Sequence, residues 1–117
     1  MAARKLNRAE WKSYCDRVSK SLDGDNTAEI EVVSLGLGDR IETRWLPLFG
    51  LTYDPRSDVF EIALDGVDHL IANPQEVNVE ETSRGIVAFE IAIDDETRQT
   101  VRFREPLLLA ASRAARR

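Results

Sequence analysis

The sequence predicts an α+β domain, with one N-terminal helix packed on a mostly antiparallel sheet of about six strands. Three observations carry that expectation. Residues 7–22 repeat apolar side chains at helical spacing, residues 27–106 repeat mostly at a period of two, and 117 residues suffice for one hydrophobic core. A small, strongly bent barrel capped by the helix is the alternative arrangement of the same elements. The whole of 1–117 is therefore read as a single domain, with helix at 7–22, sheet at 27–106 and an exposed tail at 110–117.

Residues 1–6 read as a frayed lead-in. Asn7 followed three residues later by Glu10 has the form of a capping box, in which a carboxylate reaches back to the helix start. Trp11, Cys15, Val18 and Leu22 then share one helical face, with Tyr14 flanking it. Asp23-Gly24-Asp25-Asn26 ends the helix.

From residue 27 the period changes to two. Glu29-Ile30-Glu31-Val32 alternates and the phase slips at Val33, which predicts a bulge in this first strand or a bend, permitted by Gly36 and Gly38, from one packing layer to another, and puts Val33, Leu35 and Leu37 on one face. Gly38-Asp39 is a turn into a second strand, Arg40–Leu46, with Pro47 as an edge or bend before Leu48–Tyr53. Asp54-Pro55-Arg56-Ser57 is a turn, and Val59–Leu64 is a strand with Phe60, Ile62 and Leu64 inward. Asp65 to Pro74 breaks the alternation, and Val67, Leu70 and Ile71 read as one buried helical turn. Val77 and Val79 mark another strand. In the last hairpin both apolar sets face one core only if Ile93 pairs with Thr97, which sets Phe89 opposite Val101, Val87 opposite Phe103 and Glu90 beside Arg102. Leu107-Leu108-Leu109 docks on the sheet edge.

Charge is uneven. Residues 1–20 carry +4, 21–96 carry −14 and 97–117 carry +5, for a total of −5. Basic ends folding over an acidic body explain this, and an acidic face argues against nucleic acid as a partner. No apolar run approaches the length of a membrane span, and the N-terminus lacks the apolar core of a signal peptide. The expectation is a cytoplasmic protein without a membrane partner. The single cysteine precludes an internal disulfide.

Few groups offer chemistry. One histidine, His69, and one cysteine, Cys15, fall short of the three or four ligands of a structural zinc site. Cys15 lies on the apolar stripe and reads as a buried structural thiol, not a nucleophile. Gly36 and Gly38 lack the rest of a phosphate loop. The best polar cluster is Asp65, Asp68 and His69, a ligand-binding candidate in which one carboxylate orients the imidazole or a cation is held. Its structural alternative is a turn with a capped helical end. Asp94-Asp95-Glu96 and Glu80-Glu81 read as turn and surface charge, with weak calcium binding as the other possibility. Trp45, between Arg44 and Leu46, is either an interface anchor or a core residue.

Several short motifs resemble an uncharacterised bacterial family of short proteins known only as a domain of unknown function, number five-three-three-five. They are Arg8-Ala9-Glu10-Trp11, Ile30-Glu31-Val32, Leu46-Pro47-Leu48-Phe49-Gly50-Leu51-Thr52-Tyr53-Asp54, Asp68-His69-Leu70-Ile71 with Pro74, and Arg102-Phe103-Arg104-Glu105-Pro106. The resemblance spans residues 8–109, and Cys15 departs from it by standing where an aromatic is expected. It implies a soluble single-domain bacterial protein and no established activity. The functional expectation is a non-catalytic protein-interaction domain that self-associates, as a homodimer, through a sheet edge or the face around Trp45. It uses no cofactor. A small-ligand or metal-ion domain using Asp65, Asp68 and His69 is the alternative.

Overall fold

In a computed structural model that describes residues 2–34, 36 and 38–110, a short helix lies against an eight-stranded antiparallel sheet. The elements in chain order are β1 (Ala2–Leu6), a 3-10 turn (Arg8–Glu10), α1 (Trp11–Ser21), β2 (Thr27–Ser34), β3 (Gly38–Asp54), β4 (Val59–Leu64), β5 (Val67–Ala72), β6 (Glu76–Thr82), β7 (Gly85–Ala92) and β8 (Thr97–Leu107). The strand order is β1-β6-β7-β8-β2-β3-β4-β5. Its two ends do not pair with each other, so the sheet is not closed into a barrel.

The helix forms where the spacing places it, but its first turn is 3-10. The Glu10 carboxylate accepts a hydrogen bond from the Asn7 N–H at 3.1 Å, satisfying a donor that a helix start leaves free. Trp11, Tyr14, Cys15 and Val18 are buried, and each large apolar side chain contributes about 1.5–3 kcal/mol gross.

Eight strands replace the expected six because two were hidden. The lead-in is in fact β1, paired with β6 from Ala2↔Glu81 to Leu6↔Val77. Its alternation is invisible because only Leu6 among its described side chains is buried. The segment read as a helical turn is β5, joined to β4 by the two-residue turn Asp65-Gly66, with Gly66 at φ +77. No buried helical turn forms there, because Leu70 is 61% exposed and the inward set is Val67, His69 and Ile71.

The bulge predicted in the first strand lies in its partner. β2 pairs continuously with β8, while β3 takes up extra residues opposite Ala28 to Glu31. Leu35 and Leu37 lie outside the described residues, as does the tail from 111 onward. β3 passes from β2 to β4 at Pro47, whose carbonyl accepts from Asp65 while the Leu48 N–H donates to Asn26. The sheet folds about this point until Phe60 of β4 meets Phe89 of β7, their ring centroids 5.6 Å apart. The two inner faces and α1 enclose one core.

In the last hairpin Phe89 does oppose Val101, and Ile93 donates to Thr97. Val87 does not oppose Phe103. A bulge beyond Ala88 shifts the register so that Ile86 pairs with Leu107 and takes the buried position. Glu90 pairs with Arg98 at 3.0 Å, and Arg102 turns to Glu31 at 2.9 Å. Gly85 lies so close to Leu107 that an added Cβ would stand 2.2 Å from its carbonyl oxygen. The Leu107–Leu109 run divides: Leu107 is buried in β8, Leu108 is exposed, and Leu109 packs partly on the core.

Two polar clasps fasten the helix. Arg8 stacks on Trp11, bonds Asp58 at 3.1 Å and donates to the Pro74 carbonyl at 3.0 Å, while Tyr53 donates to Asp58 at 2.7 Å. Tyr14 donates to Glu81 at 2.7 Å, and Arg4 bonds the other carboxylate oxygen at 3.2 Å. Partial burial alone would raise the Glu81 pKa. Hydrogen bonds from Tyr14 and Arg4, with the charges of Arg4 and Arg17, outweigh it and hold the carboxyl below its usual value of 4.5. A depressed folded pKa stabilises above the unfolded value and is lost as pH falls through the folded one. Glu81→Gln is therefore expected to lose less stability on acidification than the wild type, read from denaturant midpoints across that range. Equal acid sensitivity of the two proteins would contradict the Glu81 assignment.

Candidate functional site

The candidate site is the free edge at β5, and strand geometry builds it. Phe60, Ile62 and Leu64 alternate inward on β4, and Asp65-Gly66 reverses the chain within two residues. β5 returns in unbroken register, from Leu64↔Val67 to Val59↔Ala72. The Asn73 N–H donates to the Asp58 carbonyl at 3.0 Å, one step beyond this ladder. Bonded and non-bonded pairs alternate in an antiparallel ladder. Val67, His69 and Ile71 therefore turn their backbone groups toward β4. Asp68, Leu70 and Ala72 turn theirs outward, and among the described residues nothing bonds them.

Sheet edges are normally guarded by charge, proline, bulges or covering elements. The opposite edge, β1, carries Arg4 and Lys5 on five residues and runs directly into the helical segment. β5 has no cation, proline or bulge. Its outer face presents exposed Leu70 and Ala72, and Phe49, 60% exposed, protrudes from the bulge of β3 beyond half-buried Ala63. Glu61 and Asp68 share this face. Hydrogen bonding to Asp68, then its negative charge, raises the Glu61 pKa.

The sequence-predicted site residues do not converge. Asp65 is exposed in the turn, Asp68 faces outward, and His69 points inward, because neighbours on a strand take opposite faces. The His69 Nε2 lies 2.5 Å from Gln99 Oε1 on β8, an oxygen that only accepts, so Nε2–H donates. Trp45 is half-buried at the β3 bulge with φ 28, a left-handed conformation strained for a bulky residue, and Arg104 stands 5.7 Å from its ring. Cys15 is fully buried, and burial pushes its thiol pKa up. Among the described residues no three His, Cys, Asp or Glu side chains are grouped to hold a metal ion.

The larger surface depressions are polar. One of about 400 Å³ is lined by Asp23, Asp25, Asn26, Thr27, Arg104 and Glu105. Another, of about 430 Å³, is lined by Gln75, Glu76, Ala92, Ile93, Asp94, Asp95 and Arg98. Neither has the mostly apolar lining of small-molecule sites. The sequence reading missed Leu70 as an exposed edge residue. The signal that would have found it is Asp65-Gly66, a strong two-residue hairpin turn after an alternating strand.

No helix among the described residues is long and apolar enough to cross a membrane. No solved structure matches the chain. An uncharacterized protein of Aquifex aeolicus (strain VF5) is 37% identical over 110 residues, covering 93% of this chain and 98% of that one. The family of unknown function DUF5335 matches residues 2–112, nearly the full length, and the chain belongs to that family.

Proposed function

We propose that this protein is a non-catalytic protein-interaction domain that accepts an extended partner strand along β5. The observation that carries the reading is the row of outward backbone groups at Asp68, Leu70 and Ala72, with no proline or bulge among them, a single charge at Asp68, and exposed Leu70 and Phe49 on the same face. In strand addition, main-chain hydrogen bonds supply affinity and alternate side chains supply selectivity. The absence of catalysis is supported by the chemistry of the scarce reactive groups. Cys15 is sealed in the core with its thiolate disfavoured, and His69 is committed to Gln99. The face around Trp45 is the weaker docking candidate, because its ring is half-covered and lies beside Arg104.

The test places a photo-crosslinking amino acid at position 72 in cells. The expected result is a discrete protein adduct that disappears when Leu70→Lys is added. The same crosslinker at Arg84, in the β6–β7 turn, should give none. No adduct at position 72, or one indifferent to Leu70→Lys, would overturn the reading.

A further inference from the structure

We propose that the strand received by β5 is β5 of a second copy, the two running antiparallel about a two-fold axis at Leu70. This inference rests on the strand-addition reading and names its partner. Only Asp68, Leu70 and Ala72 offer outward backbone groups, so bonded pairs between two copies form among them. With Leu70 opposite the partner's Leu70, Asp68 falls opposite the partner's Ala72, and Ala72 opposite the partner's Asp68. Each bonded pair exchanges two hydrogen bonds, so this register uses every outward donor and acceptor on both edges.

The neighbouring registers are worse. One sets Asp68 opposite the partner's Asp68, like charges face to face. The opposite shift brings Leu70 against the partner's Pro74, which has no N–H to give. The two intermediate registers leave Ala72 against Gly66 of the turn, or Asp68 against Pro74. In the Leu70-centred register the two Asp68 residues lie four positions apart, about 14 Å at strand rise. That exceeds the Debye length of about 8 Å at physiological salt. The two Leu70 side chains, each 61% exposed in the single chain, instead meet on the axis. An isologous contact of this kind closes as a dimer, whereas β1 joined to β5 of another copy is a heterologous contact that builds rings or open filaments.

The test uses the purified full chain. Sedimentation velocity from low to high micromolar concentration should show a monomer–dimer equilibrium. Leu70→Lys, which sets two cations face to face at a solvent-exposed position, should weaken it by at least about a hundredfold while preserving the far-UV spectrum. Register is read with a short bis-maleimide. Leu70→Cys should crosslink to itself, Ala72→Cys should not, and a mixture of Asp68→Cys with Ala72→Cys should. Cys15 is buried and does not interfere. A wild-type chain monomeric at every concentration, growth beyond dimers, or crosslinking of Ala72→Cys in place of Leu70→Cys would overturn the proposal. A monomeric chain whose position-72 crosslinker still captures a different protein in cells would overturn the second copy and leave the strand-addition reading standing.

Discussion

Phe60→Ala is expected to destabilise the fold by about 3–5 kcal/mol, the range for truncating a fully buried aromatic side chain. Phe60 is 0% exposed. Its ring centroid lies 4.7 Å from Tyr53, 5.4 Å from Trp11 and 5.6 Å from Phe89. Those neighbours come from β3, α1 and β7, so one ring joins the helix to both halves of the curled sheet. Truncation removes apolar burial and also leaves a cavity that three separate elements would have to move to fill. Against a total stability of about 5–15 kcal/mol for a domain, that is a large fraction. Urea unfolding measures it. A lowered midpoint with an unchanged slope is the expected result, and a loss below about 1.5 kcal/mol would show that the two halves do not share a core at this point.

What the sequence made legible was whatever depends on neighbours close along the chain. The Trp11, Cys15 and Val18 stripe follows from helical spacing, and all three residues are buried. The alternation of Phe60, Ile62 and Leu64 is a local pattern, and β4 has the expected bounds. Pairing near the last turn was also local, so Phe89 opposite Val101 could be derived. Features set by distant chain segments could not. The bulge that buries Ile86 in place of Val87 arises where β8 turns toward Leu107, eleven residues beyond the hairpin's closing Glu96. The clasp of Arg8, Tyr53 and Asp58 joins positions that no spacing rule connects. The candidate site was hidden for a related reason. Asp68-His69-Leu70-Ile71 offers an apolar pair at 70 and 71, which reads as a helical turn until β4 is known to lie alongside. Only that pairing shows which residues turn their backbone groups outward, and it separates Asp68 from His69 across the strand.

The free edge of β5 is also where the second large effect is expected, in backbone amide exchange. Exchange protection follows hydrogen bonding and local opening, and ranges from nothing at free amides to the global stability in the core. Val67, His69 and Ile71 donate to β4 within a ladder whose neighbours Phe60 and Ile62 are fully buried. Asp68, Leu70 and Ala72 have no such acceptor among the described residues. Residue-resolved exchange on the Leu70→Lys chain, held monomeric in dilute solution, should therefore alternate along β5. The amides of 67, 69 and 71 should exchange at least about a hundredfold more slowly than those of 68, 70 and 72. Uniform protection of all six, or protection of the even-numbered set alone, would mean that the edge is already occupied within the single chain and would contradict strand addition at β5.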